Sequence, residues 1–362
     1  MKIICFGDLH AHPFKDFSAV DDATGNTRLT AIIHCLDFIR NYALEHDIDL
    51  VLDAGDIFHK RNNIDTTTYN SIFQAIKAMS DDGIQVAMIP GNHTQVDNSD
   101  MPETSIEPFS EIERVQVLKA FEPYIMLGPG VNVYPAPYSK NADMVKAHID
   151  GYVRDITEEA ETDRAEGRTP PTSILLGHMG VSGASVGSGN FTMADAFSVA
   201  DLHPDVFDFV VLGHFHKRQT LGGYDTAFYT GSPIQHNFND EGQARGFMVI
   251  DTETKTTEFV EIPNRTFKTV TGAEEAEDLD MTKHYIRFRV DEEEMAQMAP
   301  VIELAPAHRV ELTREYSDER RMDLDFSHPF AEMVKRYAVE LDRADAVDIG
   351  VDILNEALGE SE

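Results

Sequence analysis

Five short apolar runs in this chain stop on residues that bind metals or move protons rather than pack, and that pattern limits the possible folds more than any other feature. Residues 3–6 run into Asp8-Leu9-His10, residues 50–54 into Gly55-Asp56, and residues 85–89 into Gly91-Asn92-His93. Residues 174–176 lead to Gly177-His178, and residues 207–212 to Gly213-His214-Phe215-His216. The length and β-branched content of these runs suit buried strands. In α/β folds the strand ends are where side chains from distant segments converge on one crevice. A lone Gly-His or Gly-Asp is an ordinary turn, but five in succession, each ending an apolar strand, form a specific set.

The rest of the chain fills in that frame. Residues 226–229 and 247–250 read as further strands. Leu29, Ile32, Ile33, Leu36 and Ile39 make one helical stripe, and Tyr69, Ile72, Phe73 and Ile76 another. Strands alternating with helices predict an α/β layered domain over residues 1–265. The acidic, sparsely apolar stretch 271–282 reads as a linker or loop, and the Gly/Ser-rich segment 183–190 as a mobile loop. Strands at 285–290 and 310–312 predict a small α+β domain over 266–326. Two stripes follow in 327–362: Phe330, Met333, Val334, Tyr337, Leu341, then Val347, Val351, Leu354, Leu358. They predict terminal helices.

The strand-end motifs offer carboxylate, amide and imidazole donors. Two divalent ions would bring four positive charges against the two negative ones of Asp8 and Asp56. That surplus would attract a phosphodiester and lower the pKa of a bridging water. A mixed oxygen and nitrogen set suits manganese, iron or zinc better than calcium or magnesium. Asp56, after Gly55, is suited to touch both ions. Cys5 and Cys35 are the only cysteines, too few for a thiolate site, and read as small buried hydrophobes. No apolar stretch is long enough to cross a bilayer, and the N-terminal run reaches Gly7-Asp8 too soon for a signal peptide, so a cytoplasmic location is expected. The net charge of −34 runs against binding nucleic acid through the overall field; such binding needs a local cationic site, a partner, or screening salt.

With these motifs in hand, residues 1–262 resemble the calcineurin-like metallophosphoesterases, whose fold is a two-sheet sandwich flanked by helices. That likeness implies one metal held by Asp8, His10, Asp56 and His216, and another by Asp56, Asn92, His178 and His214. It places His93 beside the metals, stabilising the transition state or protonating the leaving oxygen. Within the superfamily, Asp56-Ile57-Phe58-His59 followed by Lys60-Arg61-Asn62 differs from the protein phosphatases, which carry Arg-Gly. Together with Tyr229-Thr230-Gly231-Ser232-Pro233, Phe238 and Arg245-Gly246-Phe247, it is similar to the SbcD-type DNA repair nucleases and their phage relatives. Thr94 stands where that family usually has an acidic residue.

The nuclease likeness implies catalytic roles for His93 and His59, two manganese ions, and DNA as substrate. It also implies a homodimer and an SbcC-like coiled-coil ATPase docking on the terminal helices, with 266–326 as a DNA-capping domain. Lys60, Arg61, Lys217 and Arg218 flank the central motifs and are candidates for phosphate contact, although solvated surface charge explains them equally well. His12 reads as a loop histidine, and His34, His46, His148, His203, His236, His284, His308 and His328 match no metal spacing. A phosphodiesterase or phosphatase acting on a small nucleotide is the alternative, and the acidic surface suits it better.

Overall fold

The structure, a computed structural model, describes residues 1–97, 99, 102–122, 125–128, 130–187, 191–192, 196–277, 279–313 and 329–358. Strands β1 (Lys2–Phe6), β2 (Leu50–Asp53), β3 (Gln85–Met88) and β4 (Val115–Val117) lie in one sheet. The other large sheet holds β5 (Ile125–Gly128), β6 (Val131–Ala136) and β7 (Thr172–His178). A short hairpin, β8 (Ser185–Val186) and β9 (Phe191–Thr192), precedes β10 (Phe209–Gly213), β11 (Gln219–Leu221) and β12 (Tyr224–Tyr229) of that second sheet. The chain then returns to the first sheet as β13 (Gly246–Asp251) and β14 (Thr256–Glu261). The two six-stranded sheets have the orders β14-β13-β1-β2-β3-β4 and β11-β12-β10-β7-β6-β5.

Alternation along the strands builds the layers. Ile3 and Cys5 of β1, with Leu50 and Leu52 of β2, share a core with Ile174, Leu176, Phe209 and Val211 of the facing sheet. Their neighbours Ile4, Phe6 and Val51 point the other way, onto helices α1 (Thr27–Glu45) and α2 (Thr66–Asp81), where Ile32, Leu36, Ile72 and Ile76 meet them. On the second sheet Leu175, Val210 and Leu212 pack on Val145, Ile149 and Tyr152 of α3 (Ala142–Ala165). The result is the helix-flanked two-sheet sandwich expected, and α3 is a helix the sequence reading did not mark. Asn26 and Asp65 cap α1 and α2 by accepting backbone N–H bonds, which fixes where both helices begin.

A third sheet, β15 (Thr266–Val270), β16 (His284–Val290) and β17 (His308–Leu312), is parallel throughout. Its inner residues Val270, Ile286, Phe288 and Val290 pack with Ala276 of α4 (Ala273–Glu277) and with Met298 and Ile302 of α5 (Glu292–Ile302). The stretch 271–282 is therefore not a plain loop, since α4 falls within it; residue 278 lies outside the described residues. In 183–190, Ser185 is tied to Gln219 by two hydrogen bonds, and 188–190 lie outside the described residues.

Residues Met1–Leu312 form one compact unit and Thr313–Glu362 a second. The third sheet thus groups with the two large ones, consistent with the Phe267 N–H donating to Gln235 and the Thr269 N–H to Glu241. The boundary placed at 326/327 lies outside the described residues. The second unit is a helical hairpin, α6 (Phe330–Glu340) and α7 (Val347–Leu358). A Cβ at Gly350 would sit 2.9 Å from Val334, so glycine allows the two helices to approach closely. Met333 and Ala338 are buried, whereas Phe330, Tyr337, Val339, Leu341, Ile349 and Ile353 are exposed. Among the described residues no helix is long and apolar enough to cross a membrane.

Candidate metal centre

Parallel pairing sets the site. β1, β2 and β3 are parallel neighbours, as are β7 and β10, so their C-terminal ends share an edge of each sheet. The loops after them cross-link through the backbone: the Asp8 N–H donates to Gly55 O at 2.8 Å and the His10 N–H to Asp56 O at 2.9 Å. Side chains complete the lattice. The His93 N–H donates to Asp56 Oδ1 at 2.8 Å, and the His214 N–H to both Asp8 carboxylate oxygens at 3.0 Å.

The structure brings together all seven residues assigned as ligands from sequence. Asp8, His10 and His216 offer donor atoms within 4.8 Å of one another, as do Asp8, Asp56 and His178. His10 Nε2 and His216 Nε2 are 3.0 Å apart, and Asn92 Oδ1 lies 3.2 Å from His178 Nε2 and 3.1 Å from His214 Nδ1. Adjacent ligands around an octahedral ion with bonds of about 2.1 Å stand roughly 3.0 Å apart, so these spacings fit shared cations. His178 Nδ1 is 2.7 Å from Ala54 O; a carbonyl only accepts, so Nδ1 carries a hydrogen whether or not the ring is charged, and Nε2 is the nitrogen that faces Asn92 and the other ligands.

The ionisation pattern in the absence of cations points the same way. Burial, with neighbouring imidazoles, pushes His10 well below the usual histidine range, and burial with His178 lowers His214 to about 3, so both stay neutral and able to ligate. Burial raises Asp8 despite His178 and His216. Burial also opposes the charge on Asp56, but His178 outweighs it and holds that carboxyl below its ordinary range. Burial works against charging His178 as well; Asp56 overrides it and lifts the ring to about 9, one charge standing in where a cation would go.

Around the centre lie residues whose roles differ from one another. His93 Nδ1 is 2.5 Å from His59 O, so His93 donates to the backbone of the very residue it stacks against, with ring centroids 5.5 Å apart. Thr94 is buried, and its hydroxyl joins the Gly91 N–H and carbonyl, closing the turn rather than touching His93. Burial and the nearby His93 lower His59 to about 4. Missed in the sequence was His236, buried with its ring 5.5 Å from His10 and 5.4 Å from His216, its Nε2 donating to Asp8 O. Its only signal was a place two residues after Ile234 in the Gly-Ser-Pro segment.

A cleft of about 770 Å³ opens from His10, His59, His93 and His216. None of the four flanking cations expected at the substrate lines it. Lys217 borders a smaller pocket of about 260 Å³ with His214 and His216, and Arg218 stacks on Phe259 with its guanidinium 4.4 Å from the ring. Lys60 is exposed and near enough to His12 and His59 to depress both, while Arg61 acts on Asp97.

Among known proteins, a solved structure described as a dimetal phosphatase from Danio rerio aligns with a TM-score of 0.39 and 8% identity, over 69% of this chain and 91% of that one. The sequence model of the calcineurin-like phosphoesterases matches residues 1–218. By that match over more than half its length, the chain belongs to the calcineurin-like phosphoesterase family, a family of metal-dependent hydrolases.

Proposed function

We propose that this chain is a DNA nuclease of the SbcD type, using two divalent ions, most suitably manganese, to hydrolyse phosphodiester bonds. The observation that carries the reading is the open cleft of about 770 Å³ that runs from the histidine cluster to the third sheet. A closed small-nucleotide pocket needs no such extension. The absence of Arg-Gly after Asp56 and the presence of His59 support the same reading.

Asp8, His10, Asp56 and His216 would hold one ion, and Asp56, Asn92, His178 and His214 the other. Bound there, the ions would lower the pKa of a water and neutralise phosphoryl charge. The protein's own contribution is positional. Donation from His93 Nδ1 to His59 O leaves Nε2 as the nitrogen able to exchange a proton with the leaving oxygen. The His59 ring, beside His93 on the cleft wall, confines it to that orientation. The reading also carries a homodimer and an SbcC-like coiled-coil ATPase as partner, with the cytoplasm as its place of work.

The test is incubation of purified protein with end-labelled duplex DNA and, separately, with cyclic nucleotides and phosphopeptides, in manganese, magnesium or chelator. Manganese-dependent DNA degradation is expected. Rapid turnover of cyclic nucleotides or phosphopeptides with no DNA cleavage would replace this reading with a small-substrate phosphodiesterase or phosphatase.

A further inference from the structure

His236 sits against the metal centre without a part in the chemistry proposed for it. Its Nε2 lies 3.2 Å from Asp8 O, and a carbonyl only accepts, so that nitrogen carries a hydrogen. The ring stands edge-on to His10, with centroids 5.5 Å apart and planes at 88°, and lies 5.4 Å from His216. Its main chain is fixed on both sides. The His236 N–H donates to Asp240 Oδ2 at 2.8 Å, and Asp240 is held in turn by Arg245 at 2.5 Å. Buried Arg28, enclosed by Phe14, Phe267 and Tyr285, donates to the His236 carbonyl at 3.1 Å.

A histidine that ligates a metal usually anchors its second ring nitrogen on a carbonyl or carboxylate, which sets the orientation of the ring. His178 does so through Ala54 O. His10 does not: its Nδ1 is buried and has no hydrogen-bond partner among the described residues. The His10 ring is therefore oriented by what packs around it, and the edge-on His236 is one wall of that packing. The turn that carries His10 depends on the same residue. Asp8 and His10 hold φ at 52° and 48°, and His236 bonds the carbonyl of the first of them. Filling space does not account for an imidazole here. His236 Nδ1 is itself buried without a partner, a cost that phenylalanine would avoid, so what the imidazole adds is the Nε2 donor.

We propose that His236 is a positioning residue for one ion of the pair, the ion assigned to Asp8, His10, Asp56 and His216. It holds the Asp8–His10 turn through the Asp8 carbonyl and props His10 against His216, with the Nε2 atoms of those two rings 3.0 Å apart. The ion assigned to Asp56, Asn92, His178 and His214 is anchored separately, through His178 on Ala54 O. The inference rests on the two-ion part of the proposed function and is independent of the substrate.

The test reads bound metal rather than turnover. Manganese is titrated into full-length wild type, His236→Phe and His236→Gln. Calorimetry gives stoichiometry and affinity, and electron paramagnetic resonance gives the spin coupling between paired ions. Glutamine can offer an amide N–H near the place of the imidazole Nε2, whereas phenylalanine has no donor. Wild type should take two ions and show the coupled signal. His236→Phe should keep one affinity and weaken the other about tenfold or more, as expected when a group behind a ligand is lost. Isolated manganese then replaces the coupled pair until the metal is in excess. Anomalous scattering from manganese-soaked crystals should place the lower occupancy at Asp8, His10 and His216. His236→Gln should bind both ions close to wild type. Melting temperatures of the metal-free proteins show which variants fold, and His236→Met takes the place of the phenylalanine variant if that one does not. The inference is overturned by a folded phenylalanine or methionine variant that pairs two ions as wild type does, weakens both equally, or loses the other ion instead. A folded glutamine variant no better than phenylalanine also overturns it. A wild-type protein that never pairs two ions removes the two-ion reading along with it.

Discussion

Asp8, His10, Asp56 and His214 have φ of 52°, 48°, 59° and 105°, in the left-handed region that costs a non-glycine residue roughly 1–2 kcal/mol. Four such residues around one centre are tolerated because their amides and carboxylates hold one another across the two sheets. The glycines leave no slack either. A Cβ on Gly91 would fall 2.7 Å from His178 Cε1, and one on Gly55, at φ +100°, 2.6 Å from His178 Nδ1. The His93 ring bonds a backbone carbonyl, and the His93 N–H to Asp56 belongs to the main chain, so the side chain can be replaced without dismantling the ligand set. For His93→Ala we expect manganese binding near wild type by calorimetry and DNA cleavage reduced about a hundredfold or more. Normal cleavage by a metal-loaded variant would remove His93 as the acid. Thr94 has no part in this expectation, since its hydroxyl is spent on the Gly91 turn.

At the scale of elements, the terminal hairpin keeps large apolar side chains exposed. α6 and α7 bury Met333 and Ala338 but leave Phe330, Tyr337, Leu341, Ile349 and Ile353 in solvent. An apolar face of that kind on two short helices calls for a partner. Under the proposed function that partner is the coiled-coil ATPase. Deleting residues 327–362 is therefore expected to preserve manganese binding and cleavage of short DNA while abolishing co-elution with an SbcC-like coiled-coil ATPase. A truncated chain that unfolds, or still co-elutes, assigns the helices to the fold instead. Helix α3 escaped the sequence reading for a related reason. Val145, Ile149 and Tyr152 recur at helical spacing, but acidic and basic residues fill the remaining faces and dilute the stripe over its 24 residues.

For the whole molecule, electrostatics and stability meet at the metal centre. A chain of net charge −34 that gathers Asp8, Asp56 and several imidazoles in a buried space gains from any divalent cation that binds the folded state alone. Saturating at about a hundred times Kd adds about 2.7 kcal/mol, which for a protein of this size raises the melting temperature by several degrees. Calorimetric scans in manganese, in magnesium and in chelator test this, with the largest rise expected for manganese and full reversal by chelator. An unchanged melting temperature with every divalent ion would argue against a two-metal centre. High salt should leave that rise largely intact, because buried ligands are screened little, while weakening any attachment of DNA to the surface.

The sequence by itself determined the strand-end motifs and the alternation of strands with helices, because those choices are local, whereas the sandwich and the ligand assignment are what the family likeness of those motifs implies. Glycines allow the turns, alternating apolar residues define the strand faces, and Asp, Asn and His are the donors a mixed site requires. The structure alone decided which other groups reach the site. Arg28 meets His236 across 208 residues of chain, and Arg287 and Arg309 come from a separate sheet. None of these has a neighbour in sequence that reveals it. The expected phosphate contacts at Lys60, Arg61, Lys217 and Arg218 were chosen for proximity along the chain, and none of them lines the main cleft. A side chain's reach is set by which strand pairs with which, and that pairing is a property of the folded chain, where distant segments meet and the charge on each face is added up.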